Sequence, residues 1–246
     1  MPKQTQQAAI ADPKTNHLLA QLDDDDYEAL MREAKIVSLK FGRRMIRQDE
    51  PIEAVYFPIT CMFSLLVSSE DKPQMEMATI GNEGVVGAWE MSQTRGSMGL
   101  NIIQIPGAAL RIDAIAFRKI MSRLAVQKLL NAHLYALVRQ IMYGAACNRL
   151  HSMEERCARW LLMTHDRAGL DVFPITQEFL SHMLGVRRAT VNVATGMLKK
   201  AGFIRNVRGK LTIVDRPGLE SASCDCYQKI VKVYASVQNG FGKQGH

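Results

Sequence analysis

The sequence has little of what membrane, secreted or fibrous proteins require. No stretch of its 246 residues approaches the roughly 18 uncharged apolar residues that span a bilayer. The polar start from Met1 to Gln7 lacks the apolar core of a secretion signal. Because 47% of the residues are hydrophobic and only 22% are charged, wholesale disorder is excluded as well. We therefore predict a globular cytoplasmic protein with no membrane partner.

Cysteines are few and widely separated. There are five, an odd number without the spacing of a disulfide framework, and we expect them to be reduced. A single residue lies between Cys224 and Cys226, whereas zinc sites usually have two to four intervening residues and need two further ligands. The sequence therefore predicts free cysteines beside the last helix and no metal.

Catalytic signatures are missing too. The sequence contains no nucleophile elbow, no glycine-rich phosphate loop and no His-Glu metal motif, so we expect neither an enzyme nor a cofactor. His133, His151, His165 and His182 lie in helical stretches without metal-ligand spacing to one another. We interpret them as ordinary surface or partly buried residues, with haem ligation as the alternative.

The first half of the chain has the pattern of an all-β unit. After an acidic run, Asp23 to Asp26, that is typical of a helix start, short β-type runs follow between Ile36 and Ile112, separated by turn residues. This spacing is typical of a small sandwich or barrel. Together with its flanking short helices, we predict an all-β domain over residues 16–122.

A long helical pattern follows from about Ala125 to Leu150. Apolar residues recur in it at steps of four, three and four, which is the rhythm of a two-stranded coiled coil. We predict that residues 123–151 form a dimerisation helix, and a helix packed on its own β unit is the alternative. The predicted dimer interface consists of Leu130, Leu134, Leu137 and Ile141.

The segment after residue 152 is the most informative. Ser152 and Glu155 form a capping-box pattern that restarts a helix. Farther along, Thr176 can cap another helix, and Gly185 can end it with the positive φ of a sharp turn. The following helix, from about Arg188 to Lys200, leaves its early outward face for the major groove. This face consists of Arg188, Ala189, Asn192 and Val193.

Two short strands with a basic turn between them complete a winged helix over residues 152–230. The net charge of the chain is +7, and residues 187–216 alone carry eight basic residues against one acid. Arg208 and Lys210 lie at the predicted wing tip, where they suit a phosphate backbone. An ordinary helical pair with a hairpin, whose charges only solvate a surface, is the alternative.

In the order of these parts, residues 16–227 resemble the Crp/Fnr-type bacterial transcription regulators. The Ile80-Gly81-Asn82-Glu83-Gly84 turn, the helix that contains Arg156 to Leu162 and the Ile175 to Val191 stretch carry the resemblance. It implies an α+β fold with an N-terminal β-roll of the cyclic-nucleotide-binding jelly-roll type, a long dimerisation helix and a C-terminal winged helix-turn-helix. The implied function is that of a homodimer that binds palindromic double-stranded promoter DNA and contacts or blocks RNA polymerase.

The family motif carries over residue by residue. Arg188 falls where the family has a groove-facing arginine, and Thr190 where it has a backbone-contacting threonine. Ala189 and Val193 replace the family's glutamate and second arginine, so we expect a different target sequence. Either could contact a thymine methyl group, and Asn192 a base edge or a phosphate. Arg187 is expected at a phosphate, and Thr176 completes the predicted DNA-binding set.

The family's cyclic-nucleotide motifs are not intact here. Gly87-Ala88-Trp89 stands where a Gly-Glu-Leu segment would bind the ribose, and Ala88 cannot accept a hydrogen bond from a hydroxyl group. Arg95 is a candidate to meet an anion, and an ordinary solvated loop is the alternative. We expect no cyclic AMP, and no iron–sulfur cluster either, since no cysteine precedes Cys61. Gly87, Trp89 and Arg95 are the candidate pocket for an unidentified small-molecule effector. A sensor module whose winged helix serves protein–protein signalling is the alternative function.

Overall fold

The protein has the mixed α+β architecture that the sequence predicts. The computed structural model describes residues 11–69, 72–92, 96–207 and 209–239. The strands are β1 (Ala34–Leu39), β2 (Arg44–Ile46), β3 (Ala54–Pro58), β4 (Met62–Ser69), β5 (Lys72–Ile80), β6 (Leu100–Ile105), β7 (Gly107–Asp113), β8 (Val172–Pro174), β9 (Ile204–Val207) and β10 (Lys210–Ile213). The helices are α1 (Asp24–Met31), α2 (Ala114–Ile120), α3 (Leu124–Leu150), α4 (Met153–Ala168), α5 (Gln177–Leu184), α6 (Arg188–Lys200), α7 (Arg216–Ser221) and α8 (Cys226–Gln238).

Two antiparallel sheets form the β-roll. One has the strand order β1-β7-β3 and the other β2-β6-β4-β5. Their facing side chains bury a core that includes Phe63 and Ile103, both fully buried. Packing of two half-apolar sheets removes these side chains from water, which is the main driving force for this part of the fold.

The two short helices α1 and α2 differ in how their first turns are capped. The Asp23 carboxylate accepts a hydrogen bond from the Asp26 amide at 2.8 Å, so the acidic run starts α1 as predicted. Asp113 stands at the N-cap position of α2 but makes no side-chain cap bond. Its carboxylate pairs with Arg111 at 2.7 Å instead, because the guanidinium is the stronger partner.

Helix α3 has 27 residues and lies against the β-roll. The turn at Gly84 permits the close approach, since a Cβ atom there would overlap the His133 ring of α3. At the end of α3 the chain turns, and α4 begins with the predicted capping box. The Ser152 amide donates to Glu155 Oε2 at 2.7 Å, and the Glu155 amide donates to Ser152 Oγ at 3.3 Å. Within the described residues, we find no helix that is both long enough and apolar enough to cross a bilayer.

Candidate nucleic-acid interface and effector cavity

The turn between α5 and α6 has the geometry that its sequence predicts. The Thr176 hydroxyl accepts a hydrogen bond from the Phe179 amide at 3.1 Å and so caps α5. Gly185 ends this helix with φ +65°, a left-handed conformation that glycine adopts without steric cost. A Cβ atom at Gly185 would also lie 2.7 Å from Met75 Sδ of β5. The glycine therefore sets both the sharp turn and its contact with the β-roll.

Helix α6 is amphipathic. Val191, Ala194 and Leu198 are buried against the neighbouring helices, and their spacing of three and four places them on one face. This packing fixes the orientation of the opposite face, which is solvent-exposed at the positions predicted to read bases. Those positions are Arg188, Ala189, Asn192 and Val193.

The other predicted DNA contacts are exposed as well. Arg187 is the N-cap residue of α6, and Thr190 lies in its first turn. Lys210 begins β10, where it pairs with Val207 across the wing hairpin. Arg208 lies outside the described residues. Strand β8 pairs with β10 and gives the wing a third strand that the sequence interpretation missed.

A concave surface of about 560 Å³ lies between α6 and the wing. It brings together three of the predicted residues, Thr176, Arg188 and Asn192, whereas Ala189, Thr190 and Val193 lie outside its lining. It also includes four polar residues that the sequence interpretation missed, Gln177, Thr195, Lys199 and Asn206. Lys199 lies eleven residues after Arg188 and seven after Asn192, and this helical phase could have revealed it.

A second cavity, of about 220 Å³, lies between the β-roll and α3. Gly87 and Trp89 line it, as does Ala88, whereas Arg95 lies outside the described residues. Its remaining lining, which the sequence interpretation did not single out, comes largely from β4–β6 and α3 and includes Met98, Asn101 and His133. Among the described residues that line it there is no lysine or arginine, and Glu90 is the acidic one, so the cavity offers no cationic partner to an anionic ligand.

His133 forms part of the cavity wall and is buried. Its Nε2 atom lies 3.1 Å from the Val85 carbonyl oxygen. Burial lowers the pKa of His133 to about 4 and outweighs the opposite effect of the Glu83 carboxylate. The imidazole is therefore neutral at physiological pH and can donate to that carbonyl group.

Behind this wall, a buried polar network joins the β-roll to the C-terminal helices. Arg167 of α4 donates to Glu83 at 2.7 Å, and both side chains are 7% exposed. Arg167 also donates to the Gln140 side chain of α3 at 3.0 Å, and the Tyr234 hydroxyl of α8 donates to the same oxygen at 2.9 Å. Four segments that are distant in the sequence thus share one hydrogen-bonded cluster.

The predicted dimer-interface residues have contacts within the chain. Leu130, Leu134 and Leu137 line the 220 Å³ cavity, and Ile141 packs on the same β-roll cluster as Leu137. The neighbouring stripe of α3, which contains Val138, Met142 and Ala145, faces solvent, with Val138 45% and Met142 61% exposed. This exposed apolar stripe lies one residue away from the predicted one.

Comparison with known proteins finds a similar domain in the C-terminal part of the chain and a similar fold over most of it. A family model of the Crp-like helix-turn-helix domain matches residues 155–222. No curated protein matches the chain. A regulator of the Crp/Fnr family from Eubacterium rectale, described as putative, has a TM-score of 0.65 at 16% identity, covering 83% of this chain and 96% of that one.

FixK2 from Bradyrhizobium japonicum also has a TM-score of 0.65, at 18% identity, covering 78% of this chain and 98% of its own. The c-di-GMP responsive global regulator CLP from Xanthomonas campestris has a TM-score of 0.60 at 12% identity and covers 78% of this chain and 99% of its own. Residues 155–222 thus match a Crp-like helix-turn-helix domain, and the chain has the fold of solved Crp/Fnr-type regulators, as its sequence predicted.

Proposed function

We propose that this protein is a sequence-specific DNA-binding transcription regulator that acts as a homodimer on palindromic promoter sites. The observation that supports this most directly is the fixed outward face of α6 next to a basic wing. Buried Val191, Ala194 and Leu198 hold the helix so that Arg188 and Asn192 point into the 560 Å³ concavity. This is the arrangement in which a recognition helix enters the major groove while flanking cations contact phosphates.

Dimerisation follows from the exposed stripe of α3. Val138 and Ala145 are seven residues apart and Met142 lies between them, so the stripe repeats at the period of a coiled-coil seam. A twofold pairing of two α3 helices would cover these apolar side chains and place two α6 helices on half-sites of a palindrome. RNA polymerase is the protein partner proposed for the bound dimer.

The signal is proposed to enter at the 220 Å³ cavity. The polar groups of its described lining are Glu90, Asn101, Gln127, Asn131 and His133, and no lysine or arginine is among them. The effector is therefore proposed to be small and to carry no anionic group. Leu130, Leu134 and Leu137 line the cavity. They lie on α3, the helix whose exposed stripe is proposed to form the dimer interface. A ligand there can bias the packing of α3, and through it the spacing of the two recognition helices.

The test is selection of bound sequences from random duplex DNA, followed by affinity measurements at several salt concentrations. We expect an enriched palindrome and an affinity for it that falls steeply as salt increases. If the protein enriches no sequence and its DNA binding is absent at low salt, the proposal is wrong. The alternative function, a small-molecule sensor whose winged helix contacts another protein, would then be favoured.

A further inference from the structure

Three cysteines and a histidine converge where α3 ends and α8 begins. Cys147 lies in the last turn of α3, and His151 follows four residues later as its C-cap residue, so both face the same side. Cys224 precedes α8 and Cys226 is its first residue. One ligand atom from each of the four residues lies within 4.8 Å of the others. The fold thus supplies the two further ligands that sequence spacing did not place near Cys224 and Cys226.

The distances match a tetrahedral metal site. Cys147 Sγ lies 3.4 Å from Cys224 Sγ, and Cys226 Sγ lies 3.8 Å from His151 Nδ1. With Zn–S bonds of about 2.3 Å and Zn–N bonds of about 2.0 Å, the edges of a regular tetrahedron are about 3.8 Å between sulfurs and about 3.5 Å between sulfur and nitrogen. We propose that Cys147, His151, Cys224 and Cys226 bind one Zn²⁺ ion.

The surroundings of the four ligands fit this ion. Asp225 Oδ1 lies 3.6 Å from His151 Nε2, whereas the other ring nitrogen, Nδ1, is the one near Cys226 Sγ. The second carboxylate oxygen of Asp225 lies 2.6 Å from Lys229 Nζ. A carboxylate behind the distal nitrogen is the usual means of orienting a zinc-bound imidazole. The nearby Asp225 carboxylate favours a proton on Nε2, which leaves Nδ1 free for a metal.

The charge balance also fits. Three thiolates and a neutral imidazole around Zn²⁺ carry a net charge of −1, which needs a nearby cation when the site is buried. Arg159 is 8% exposed and lies beside Cys147. The Nε atoms of Arg156 and Arg159 are buried without a hydrogen-bond partner. The thiols are buried too, whereas His151 is 22% exposed and leaves a route for entry.

A metal at this site would tie the end of α3 to α8. All four ligands lie outside residues 155–222, the segment that matches the helix-turn-helix family. Zinc would act as a clamp that joins the proposed dimer helix to the helix that follows the wing. Loss of the metal would free α8 without removing any residue of the DNA-binding face.

The experiment uses the full chain, reduced and without oxygen, titrated with Zn²⁺ and in parallel with Co²⁺. We expect one ion per chain, and for cobalt the thiolate charge-transfer and visible d–d bands of a tetrahedral site. His151→Gln and Cys226→Ser should each weaken binding by at least about 100-fold, and Asp225→Asn by about 10-fold. Matched controls are His182→Gln, an exposed histidine of α5, and Cys61→Ala, a thiol of the β-roll.

Cys147 and Cys224 are also close enough to form a disulfide, and the variants separate the two chemistries. A disulfide needs only these two thiols and uses neither His151 nor Cys226. If the His151→Gln and Cys226→Ser variants bind Zn²⁺ as tightly as the wild-type chain, the proposal is wrong. A second readout needs no variant: Zn²⁺ should protect Cys147, Cys224 and Cys226 from alkylation in the wild-type chain. Unchanged alkylation of all three in the presence of Zn²⁺ would also overturn it.

Discussion

At the residue scale, base reading and phosphate anchoring should separate into different side chains. Arg188 begins α6 and lines the concavity, whereas Lys210 lies on the wing. Arg188→Ala removes a candidate bidentate contact with guanine, so we expect a loss of about 1–3 kcal/mol on the selected site and relaxed preference at one base pair per half-site. Affinities for the selected and random duplexes at several salt concentrations measure this.

Lys210→Ala is the matched comparison. It removes one phosphate contact, so the affinities for selected and random DNA should fall together, and the salt slope should decrease by about 0.9 per subunit. The placement of the recognition helix is wrong if Arg188→Ala weakens both DNAs equally or changes neither.

A second residue-scale prediction concerns Glu76 at the contact between β5 and α4. Trp160 Nε1 donates to Glu76 Oε1 at 2.6 Å, while Oε2 is buried without a partner. Burial raises the pKa of Glu76 from 4.5 to about 7 and outweighs its hydrogen bonds and the nearby arginines. In the folded chain the carboxyl group therefore keeps its proton up to near neutral pH, whereas in the unfolded chain it loses it near pH 4.5.

Because the folded state binds this proton more tightly, its contribution to stability is complete below pH 4.5 and is lost as pH rises toward 7. The Glu76→Gln variant should not show this loss. Between pH 5 and pH 8, the free energy of unfolding of the wild-type chain should therefore fall by up to about 3 kcal/mol relative to that of the variant. His133, with its pKa lowered to about 4, has the opposite slope below its ordinary pKa, so only the difference between the two proteins is informative. Urea unfolding at fixed protein concentration measures it, with Glu28→Gln on α1 as the control. A constant difference across this range would contradict the prediction.

At the scale of elements, α3 has two apolar stripes with different partners. Leu137 packs on the β-roll and is 8% exposed, while Met142 is 61% exposed. In a twofold interface Met142→Glu would bring two carboxylates together, which costs several kcal/mol and should raise the dimer dissociation constant by at least about 100-fold. Sedimentation velocity over a concentration series measures this.

Val231→Glu, which places the same charge on the partly exposed face of α8, should leave the dimer intact. Leu137→Ala should instead lower the stability of each chain by about 2–4 kcal/mol, because it leaves a cavity against the β-roll. A wild-type chain that sediments as a monomer at micromolar concentration would remove the basis for the stripe and for a palindromic site.

Elements with local signals could be predicted from the sequence, and those defined by distant contacts could not. Thr176 and Gly185 predict the helix-turn-helix, because a helix cap and a residue with positive φ each depend on the identity of a single residue. Strand β7 has little local signal, although it pairs with both β1 and β3, because Gly107 and the two alanines after it have low β propensity and only their central place in the sheet makes them extended. The exposed stripe of α3 could not be predicted for the same reason: spacing gives the period of a helix, not which face the β-roll covers.

At the scale of the whole molecule, the β-roll and the C-terminal helices share a buried ion pair that no sequence pattern reveals. Glu83 and Arg167 are separated by 84 residues. Glu83 also accepts from the Gly81 amide at 3.1 Å in the turn next to the cavity, and the Arg167 guanidinium lies 5.4 Å from the centre of the Tyr234 ring of α8. If a ligand in the proposed cavity moved the turn or α3, it would disturb hydrogen bonds of α4 and α8, and this would be a physical route between the two parts of the fold.

The last prediction tests this ion pair with a double-mutant cycle. Arg167→Met leaves the Glu83 carboxylate buried and unpaired, so we expect a loss of about 3–5 kcal/mol in the free energy of unfolding, whereas the pair Glu83→Gln with Arg167→Met should recover a large part of it. Arg111→Met is the matched control, because its partner Asp113 has a side chain that is 59% exposed, and it should cost less than about 1 kcal/mol. Urea unfolding of the four proteins of the cycle and the control, at one protein concentration, gives the coupling energy. A coupling near zero, with Arg167→Met no more costly than Arg111→Met, would mean that the two parts of the molecule are held together by apolar packing and not through Glu83.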